Sequence, residues 1–305
     1  MCQFAIPTYH TGSAPAIHFE NSAQSVGRRM VLYIIGLGLG DEKDVTVKGL
    51  EYIRRCSALY LEYYTSVLMF TPGDTSKLEE YYGKPVILAD REMVESESTM
   101  SDILSAAKES NVGFLVVGDP LCATTHTDLI LRAIEKEVEY KVVHNASAMS
   151  AAASCGLQQY QMGYTVSIPW FEGEWKPDSF YDRIKYNKDG GMHTLCLLDI
   201  KVKEPDYDCL AKGKGIKYLP PRFMSVNIAI EQLLEIESIR NEGVLSGESK
   251  AVGMARLGQE TQYMVYGTLN ELLTCDFGPP LHSLALCGEL HPLEVQFLEH
   301  LKIKH

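Results

Sequence analysis

Short apolar runs alternate with amphipathic stretches along the chain from Met30 onward. The run VLYIIGLG (31–38) predicts a strand that leads into glycines, and DVTVKGLEYIRRC (44–56) predicts a helix with one apolar face. The same alternation continues to the end, where HTLCLLDIKV (193–202) predicts one long buried strand. Alternating strands and helices are typical of an α/β protein with parallel sheets. No apolar run reaches 18 residues, so no membrane span is predicted.

The length of 305 residues predicts two domains, at roughly 100–200 residues each. QQYQMGY near residue 160 has the composition of a connector, so we predict two α/β domains, over 30–160 and 161–305. Residues 1–29 are rich in Ser, Ala, Thr and Pro and show neither helical nor strand periodicity. They are predicted to form a disordered extension rather than a targeting segment.

Charge and cysteine content narrow the function classes. The chain has 28 Lys and Arg against 40 Asp and Glu, a net charge of −12, which argues against nucleic acid as a partner. The eight cysteines are scattered, without CxxC or zinc-ligand spacing. We interpret them as reduced thiols of a cytoplasmic protein and predict no metal site.

Three glycines follow the first predicted strand, in IIGLGLGD (34–41), and allow a ligand to approach the backbone. A GxGxxG dinucleotide fingerprint would need a third glycine where the chain has Asp41. Glu62 ends the second predicted strand, where a ribose-binding acid is expected, so an NAD-dependent oxidoreductase stays open. Asp41 and Asp44 would repel a pyrophosphate and favour a cationic or zwitterionic ligand.

Two further loops follow predicted strands, GDPLCATTH (118–126) and HNASAMS (144–150). Ligands of open α/β sheets bind beyond the carboxyl ends of strands, so Asp119 is a candidate for a ribose hydroxyl or an ammonium group. Alternatively, Asp119 only caps its own turn. Thr124 or Thr125 is predicted to cap the next helix. From these residues alone, the chain is a two-domain α/β protein with a glycine-rich adenine-nucleotide or nucleoside site.

Long segments of the sequence resemble the diphthine synthases, methyltransferases of diphthamide biosynthesis with a tetrapyrrole-methylase-like, class III fold. The segments that carry the resemblance are MVLYIIGLGLGDEKDVTVKGLEYIRRCSALYLEYYTSVL (30–68), FLVVGDPLCATTHTDLILRA (114–133), VVHNASAMSAAASCGLQQY (142–160), GMHTLCLLDIKVKE (191–204), PPRFMSVNIAIEQLLEIE (220–237) and GPPLHSLALCGELHPLE (278–294). Together with shorter segments they cover nearly everything after residue 30.

The resemblance implies a homodimer of two α/β domains per chain, with S-adenosyl-L-methionine (SAM) bound in the interdomain cleft. The residues that it places at the cofactor are Leu39, Asp119, Cys122, Ser147, Ala148, Leu198, Leu257 and His282. Cys122 stands where the family commonly has glycine. If the backbone is left-handed there, a side chain costs about 1 kcal/mol.

The resemblance also implies a protein substrate, translation elongation factor 2, and the product S-adenosyl-L-homocysteine. The implied reaction takes place on the 3-amino-3-carboxypropyl-histidine of the factor and consists of three N-methylations and one carboxyl methyl esterification. One alternative is three N-methylations alone, as in archaeal-type enzymes. The other is a non-catalytic SAM-binding protein. No catalytic residue is assigned, because an activated sulfonium needs positioning more than acid–base help. KVKE (201–204) and KGKGIK (212–217) are either contacts for the factor or solvated loop charges.

Overall fold

The computed structural model describes residues 30–63, 74–90, 93–94, 97–202, 204 and 217–303. These residues form two five-stranded sheets, one after the other along the chain, and a two-stranded ribbon. The segment 1–29, for which an extension is predicted, lies outside the described residues. Within the described part of the chain, no helix has the length and apolar character needed to cross a bilayer.

The first sheet is fully parallel, with the strand order β3-β2-β4-β1-β5. Its strands are β1 (Val31–Gly36), β2 (Ala58–Glu62), β3 (Ile87–Ala89), β4 (Val112–Val116) and β5 (Glu139–Val143). Tyr33 and Ile35 of β1 pack into one core cluster, while Leu32 and Ile34 pack into another. Both faces of the sheet are therefore covered, which is why its central strands are continuous apolar runs.

A helix follows each strand of the first sheet along the chain. They are α1 (Val47–Arg55), α2 (Ser76–Tyr82), α3 (Glu97–Glu109), α4 (Thr127–Glu135) and α5 (Ala148–Ala151). The predicted cap of α4 at Thr124 or Thr125 is wrong, because His126 occupies the N-cap position. The Thr124 hydroxyl donates instead to the Pro120 carbonyl oxygen, 2.5 Å away, and closes the preceding turn.

The second sheet corrects the prediction of parallel sheets throughout. Its strands are β6 (Val166–Ile168), β7 (Thr194–Leu198), β10 (Lys250–Ala255), β11 (Tyr263–Thr268) and β12 (His282–Leu286). The order is β11-β10-β12-β7-β6, and only β6 and β7 are parallel. The short connection between β10 and β11 forces antiparallel pairing, since a parallel crossover needs a dozen or more residues.

The predicted long strand over 193–202 is interrupted at Asp199. Its carboxylate accepts a hydrogen bond from the Trp170 N–H at 3.1 Å, and its carbonyl oxygen accepts one from the Met224 N–H at 3.0 Å. The residues beyond leave the sheet and pair as a ribbon of β8 (Ile200–Lys201) and β9 (Arg222–Phe223). The sequence shows the apolar run but not this change of partner.

The remaining helices pack on the second sheet or close the chain. They are α6 (Tyr181–Asp189), α7 (Val226–Arg240), α8 (Leu269–Leu273) and α9 (Pro292–Leu298). Helix α7 buries Val226, Ile230 and Leu233 completely, and these residues form an apolar stripe along its inner face. The Ser225 hydroxyl begins this helix by accepting from the Ile228 N–H at 3.2 Å.

Candidate functional site

Three loops at the carboxyl edge of the first sheet are joined by hydrogen bonds. Gly38 follows β1 and exchanges two backbone hydrogen bonds with Gly118, which follows β4, at 3.3 and 2.7 Å. Asn145, which follows β5, donates its side-chain amide to the carbonyl oxygens of Gly36 and Asp44, each at 3.0 Å. The loops after β1, β4 and β5 therefore form one connected surface, where parallel sheets bind ligands.

The acidic residues of the glycine turn shape the turn itself. The Asp44 carboxylate accepts from the Gly40 N–H at 2.7 Å, and the Asp41 carboxylate accepts from the Lys43 N–H at 2.8 Å. Glu62 is buried, with 1% of its surface exposed. These carboxylates therefore serve the protein's own structure more directly than they serve a ligand.

Asp119 holds the second and third loops together. One carboxylate oxygen accepts from the Leu121 N–H at 2.9 Å, and the other accepts from the Asn145 N–H at 3.0 Å and the His144 ring nitrogen Nδ1 at 2.9 Å. Burial raises the pKa of Asp119, but these hydrogen bonds outweigh it and hold the pKa below its ordinary value. Asp119 therefore does cap its own turn, which was the alternative interpretation, and it also orients His144.

Sequence reasoning did not single out His144 or Asn145. Both lie directly after β5, at the start of the loop HNASAMS. A histidine and an amide side chain at the end of a parallel strand are the signal that could have identified them. The contact with Asp119, 25 positions earlier in the chain, appears only in the structure.

Ser147 is the N-cap of helix α5, and Ala148 is its first residue. The Ser147 N–H donates to the Ser150 hydroxyl at 3.1 Å, while the Ser150 N–H donates to the Ser147 hydroxyl at 3.3 Å. This capping box fixes the loop after β5 at the edge of the sheet.

Cys122 lies in the turn after Asp119 and is exposed. The left-handed residue of this turn is Ala123, with φ of 59°. Cys122 itself is not left-handed, so the strain considered for a residue in place of glycine does not arise at this position.

The three candidates from the second sheet share one edge of it. Strand β12 runs antiparallel to both β7 and β10, so its first residue lies beside the last residues of its neighbours. His282 pairs with Ala255, two positions before Leu257, and the next residue of β12 pairs with Leu197, just before Leu198. Leu198 and Leu257 are both largely buried.

The glycine turn of the first sheet contacts this edge of the second sheet. Gly258 has φ of +79°, and a Cβ added there would lie 2.9 Å from the Cβ of Leu39. Position 258 therefore requires glycine, because its backbone is left-handed and because a side chain would have no space. The structure therefore brings Leu39, with the loops tied to it, next to Leu257.

His282 is held in one neutral form. Its Nδ1 accepts from the Val226 N–H at 3.4 Å, so its Nε2 carries the proton and donates to the carbonyl oxygens of Gly278 and Pro279, each at 3.1 Å. Burial lowers the pKa of His282. The Arg256 guanidinium donates to the same Pro279 carbonyl oxygen at 2.6 Å, which further fixes this loop.

The junction of the two sheets suits SAM. A Cβ on Gly118 would lie 3.7 Å from the Ala146 carbonyl oxygen and 3.8 Å from both Leu39 Cδ2 and Ser147 Cα, so the three loops leave a small cradle lined by backbone. Leucine side chains offer an apolar face for an adenine ring, and strand-end backbone groups offer partners for ribose. Among the described residues, no group of three or more His, Cys, Asp or Glu side chains is placed to hold a metal ion.

A model of the tetrapyrrole (corrin/porphyrin) methylase family matches residues 31–273. The chain belongs to this family. It is 54% identical to diphthine methyl ester synthase of Homo sapiens over 273 residues, which cover 88% of this chain and 94% of the relative. It is also 54% identical to diphthine methyl ester synthase of Dictyostelium discoideum over 277 residues, which cover 90% and 99%.

The fold agrees with that of a solved relative. A crystal structure of diphthine synthase superposes with a TM-score of 0.75 at 31% identity, covering 89% of this chain and 96% of that one. The match confirms the predicted fold class and the resemblance. The chain is a SAM-dependent methyltransferase of diphthamide biosynthesis, as the sequence predicted. The dehydrogenase alternative is wrong.

Proposed function

We propose that this methyltransferase acts on translation elongation factor 2, at the histidine that carries a 3-amino-3-carboxypropyl group. It adds three methyl groups to the amine and one to the carboxylate, and SAM, which leaves as S-adenosyl-L-homocysteine, supplies each as an activated methyl group. The proposal is supported by the name and length of the relatives. The structural observation that carries it is the contact of the Leu39 turn with Gly258, which joins the candidate loops of both sheets.

The protein's main contribution is positioning. Leu39 of the first sheet approaches Gly258, the residue after Leu257 in the second sheet, while Ser147 and Ala148 begin a capped helix beside Gly118. Holding a methyl donor and an acceptor in line can supply on the order of 7–11 kcal/mol through orientation and entropy. We assign the cofactor contacts to Leu39, Leu257, Ser147 and Ala148 together with Asp119, Cys122, Leu198 and His282.

The two acceptor groups of the substrate differ in what they need. A carboxylate is ionised at neutral pH and attacks without losing a proton, whereas an ammonium group must lose one before each transfer. Burial raises the pKa of Asp119, but its hydrogen bonds lower that pKa by more. Asp119 is therefore a poor proton acceptor. His282 is no better, since Nε2 already carries a proton and Nδ1 faces the Val226 N–H.

Of the two lysines in KVKE, the structure describes Lys201, while Lys203 lies outside the described residues. Lys201 forms ion pairs with Glu172 and, at 3.2 Å, with Glu204. Arg222 is paired with the same two carboxylates, each at 2.7 Å. Lys201 and Arg222, the described cations of this ribbon, are both paired, so we expect shape to dominate recognition at these two residues. KGKGIK lies outside the described residues except for Lys217.

We further propose a cytoplasmic homodimer, as the family resemblance implies. Tyr160, Leu293 and Phe297 are apolar side chains with 97%, 64% and 44% of their surface exposed, and such surface is typical of interfaces. The six cysteines of the described part are free thiols, which is typical of a reducing compartment. Light scattering of the purified protein tests the dimer, and imaging of a tagged chain tests the location.

The decisive experiment is mass spectrometry of elongation factor 2 bearing the unmethylated intermediate, incubated with this protein and SAM. A gain of four methyl groups, one of them removed by mild alkali, is the expected result. Three alkali-stable methyl groups would instead indicate archaeal-type trimethylation. No gain despite measurable SAM binding would indicate a non-catalytic SAM-binding protein and overturn the proposal.

A further inference from the structure

Asp119 and His144 form a carboxylate–histidine pair at the loop edge of the first sheet. The Asp119 residue is 4% exposed, and its carboxylate accepts two backbone N–H groups in addition to the histidine Nδ1. The His144 side chain, in contrast, is 67% exposed. A buried, fixed acid therefore holds a histidine whose far side faces solvent.

This contact fixes the tautomer of His144. An ionised carboxylate can only accept, so Nδ1 donates to Asp119 and carries the ring proton. The lone pair of the neutral ring is then on Nε2, which makes no hydrogen bond to any residue in the described part of the chain. The carboxylate on Nδ1 also fixes the orientation of the ring, as the aspartate of a Ser-His-Asp triad does.

The chain also places His144 next to the proposed cofactor loops. It lies three residues before Ser147, and its neighbour Asn145 is anchored to the Gly36 carbonyl oxygen of the glycine turn. Asp119, its partner, follows directly after Gly118, which faces Leu39 across the cradle. His144 thus belongs to the same connected surface as the first-sheet candidates for SAM binding.

We propose that His144 accepts the proton of the substrate ammonium group in each N-methyl transfer, with Asp119 as its positioning residue. This inference rests on the proposed function. The ammonium nitrogen gives its proton to Nε2, and the freed nitrogen lone pair forms the new N–C bond. The methyl carbon–sulfur bond breaks with its electron pair left on sulfur. The imidazolium then returns its extra proton to water, and no other reactant is required.

Among the described residues, Asp119 is the charged group that contacts the His144 ring. Asp44, on the glycine turn, has its carboxylate occupied by the Gly40 N–H at 2.7 Å. No described lysine or arginine forms a hydrogen bond or ion pair with either carboxylate. The pair therefore carries one negative charge before proton transfer and none afterwards.

The test is His144→Asn, because an asparagine amide can still donate to Asp119 but offers no basic nitrogen. General-base catalysis contributes typically 10²–10⁴-fold, so we expect the first N-methyl transfer to slow by about 100-fold at pH 7. SAM affinity, measured by calorimetry, should stay within about twofold of wild type. Methylation of the carboxylate on a pre-trimethylated substrate should keep its rate, since that acceptor needs no base.

Two further readouts separate proton transfer from a structural role. The deficit of His144→Asn should shrink as pH rises, because solvent then deprotonates more of the substrate amine. Added imidazole should partly restore N-methylation by His144→Ala, while His300→Ala, an exposed histidine in the last turn of the chain, should behave as wild type.

The outcomes distinguish this inference from the proposed function. Wild-type protein that methylates the factor, beside His144→Asn that does so at the wild-type rate from pH 6 to 8, overturns the role of His144 alone. Equal losses of N-methylation, ester formation and SAM affinity would show that His144 is structural and also overturn it. Wild-type protein that methylates nothing overturns both proposals together.

Discussion

The described part of the chain contains two carboxylate–histidine pairs with similar hydrogen bonding and different surroundings. Glu294 accepts from the backbone N–H groups of Gln158 and His291, each at 2.7 Å, and from His193 Nε2 at 3.1 Å. His193 and Glu294 are completely buried, and the Gly288 N–H donates to the second ring nitrogen of His193 at 2.9 Å. Every polar atom of this interior pair has a partner.

The edge pair, Asp119 and His144, also has a carboxylate with two backbone donors and one histidine. Its histidine, however, is largely exposed and keeps one ring nitrogen without a protein partner among the described residues. The interior pair fixes the segment around Gln158, between the two sheets, against helix α9. A carboxylate–histidine pair stabilises the fold when all of its polar atoms are hydrogen-bonded within the protein. The same pair is available for chemistry when one ring nitrogen has no protein partner.

The largest expected effect comes from breaking the interior pair. Glu294→Ala leaves the buried His193 and two partly buried backbone N–H groups without an acceptor, so the free energy of unfolding should fall by about 3–5 kcal/mol. Urea denaturation measures it. The matched control is Glu299→Ala, which removes an exposed ion pair with Lys302 and should change stability by less than about 1 kcal/mol. Equal effects would refute the contrast between interior and surface.

The next effect concerns the contact that joins the edge pair's loops to the second sheet. Gly258→Ala places a Cβ 2.9 Å from that of Leu39 on a backbone with φ of +79°, whereas Gly243→Ala has a similar φ of +70° with nothing within 4 Å. We expect Gly258→Ala to lose about 1–3 kcal/mol more stability than Gly243→Ala. It should also weaken SAM binding roughly tenfold, about 1.4 kcal/mol, by calorimetry. Unchanged SAM affinity would argue against a cofactor at this junction.

The pH dependence of stability tests whether the interior carboxylate Glu294 is held ionised. Burial raises the pKa of Asp119 and of Glu294, but hydrogen bonds outweigh it and leave both lowered. The unfolded chain then binds more protons, so the stability from these groups is present above their ordinary pKa and is lost as the pH falls through the folded values. In urea titrations from pH 7 to 3, Glu294→Gln should show a shallower loss of stability on the acid side than wild type. An identical slope would mean that Glu294 is not held ionised.

The smallest expected effect lies beside the edge pair. Cys122→Gly restores the residue that the family commonly has, but Cys122 is exposed and not left-handed. No strain is relieved, so stability should not rise and should change by no more than about 1 kcal/mol, chiefly through the greater freedom of glycine in the unfolded chain. Thermal unfolding measures it, and a gain well above that would show that the side chain is strained.

The sequence predicted most strands and helices, and the loops that follow β1, β4 and β5, because buried parallel strands and amphipathic helices leave strong local patterns. Strand β1 and helix α7 are examples. It failed where a partner distant in the chain decides the outcome. The break at Asp199 depends on Trp170 and Met224, and the antiparallel pairing of the second sheet depends on which strands become neighbours.

The sequence by itself determined the family, the methyltransferase activity and the α/β class. Long segments that resemble a known family, and the periodicity of apolar residues, are both properties of consecutive residues. Only the tertiary structure decided which of two histidines has both ring nitrogens hydrogen-bonded and which has one ring nitrogen without a described protein partner. His144 and His193 are both preceded or followed by strand residues and look alike in the chain. Burial and the distant partners Asp119 and Glu294 set them apart, because the environment of a ring nitrogen is fixed by residues that folding brings to it.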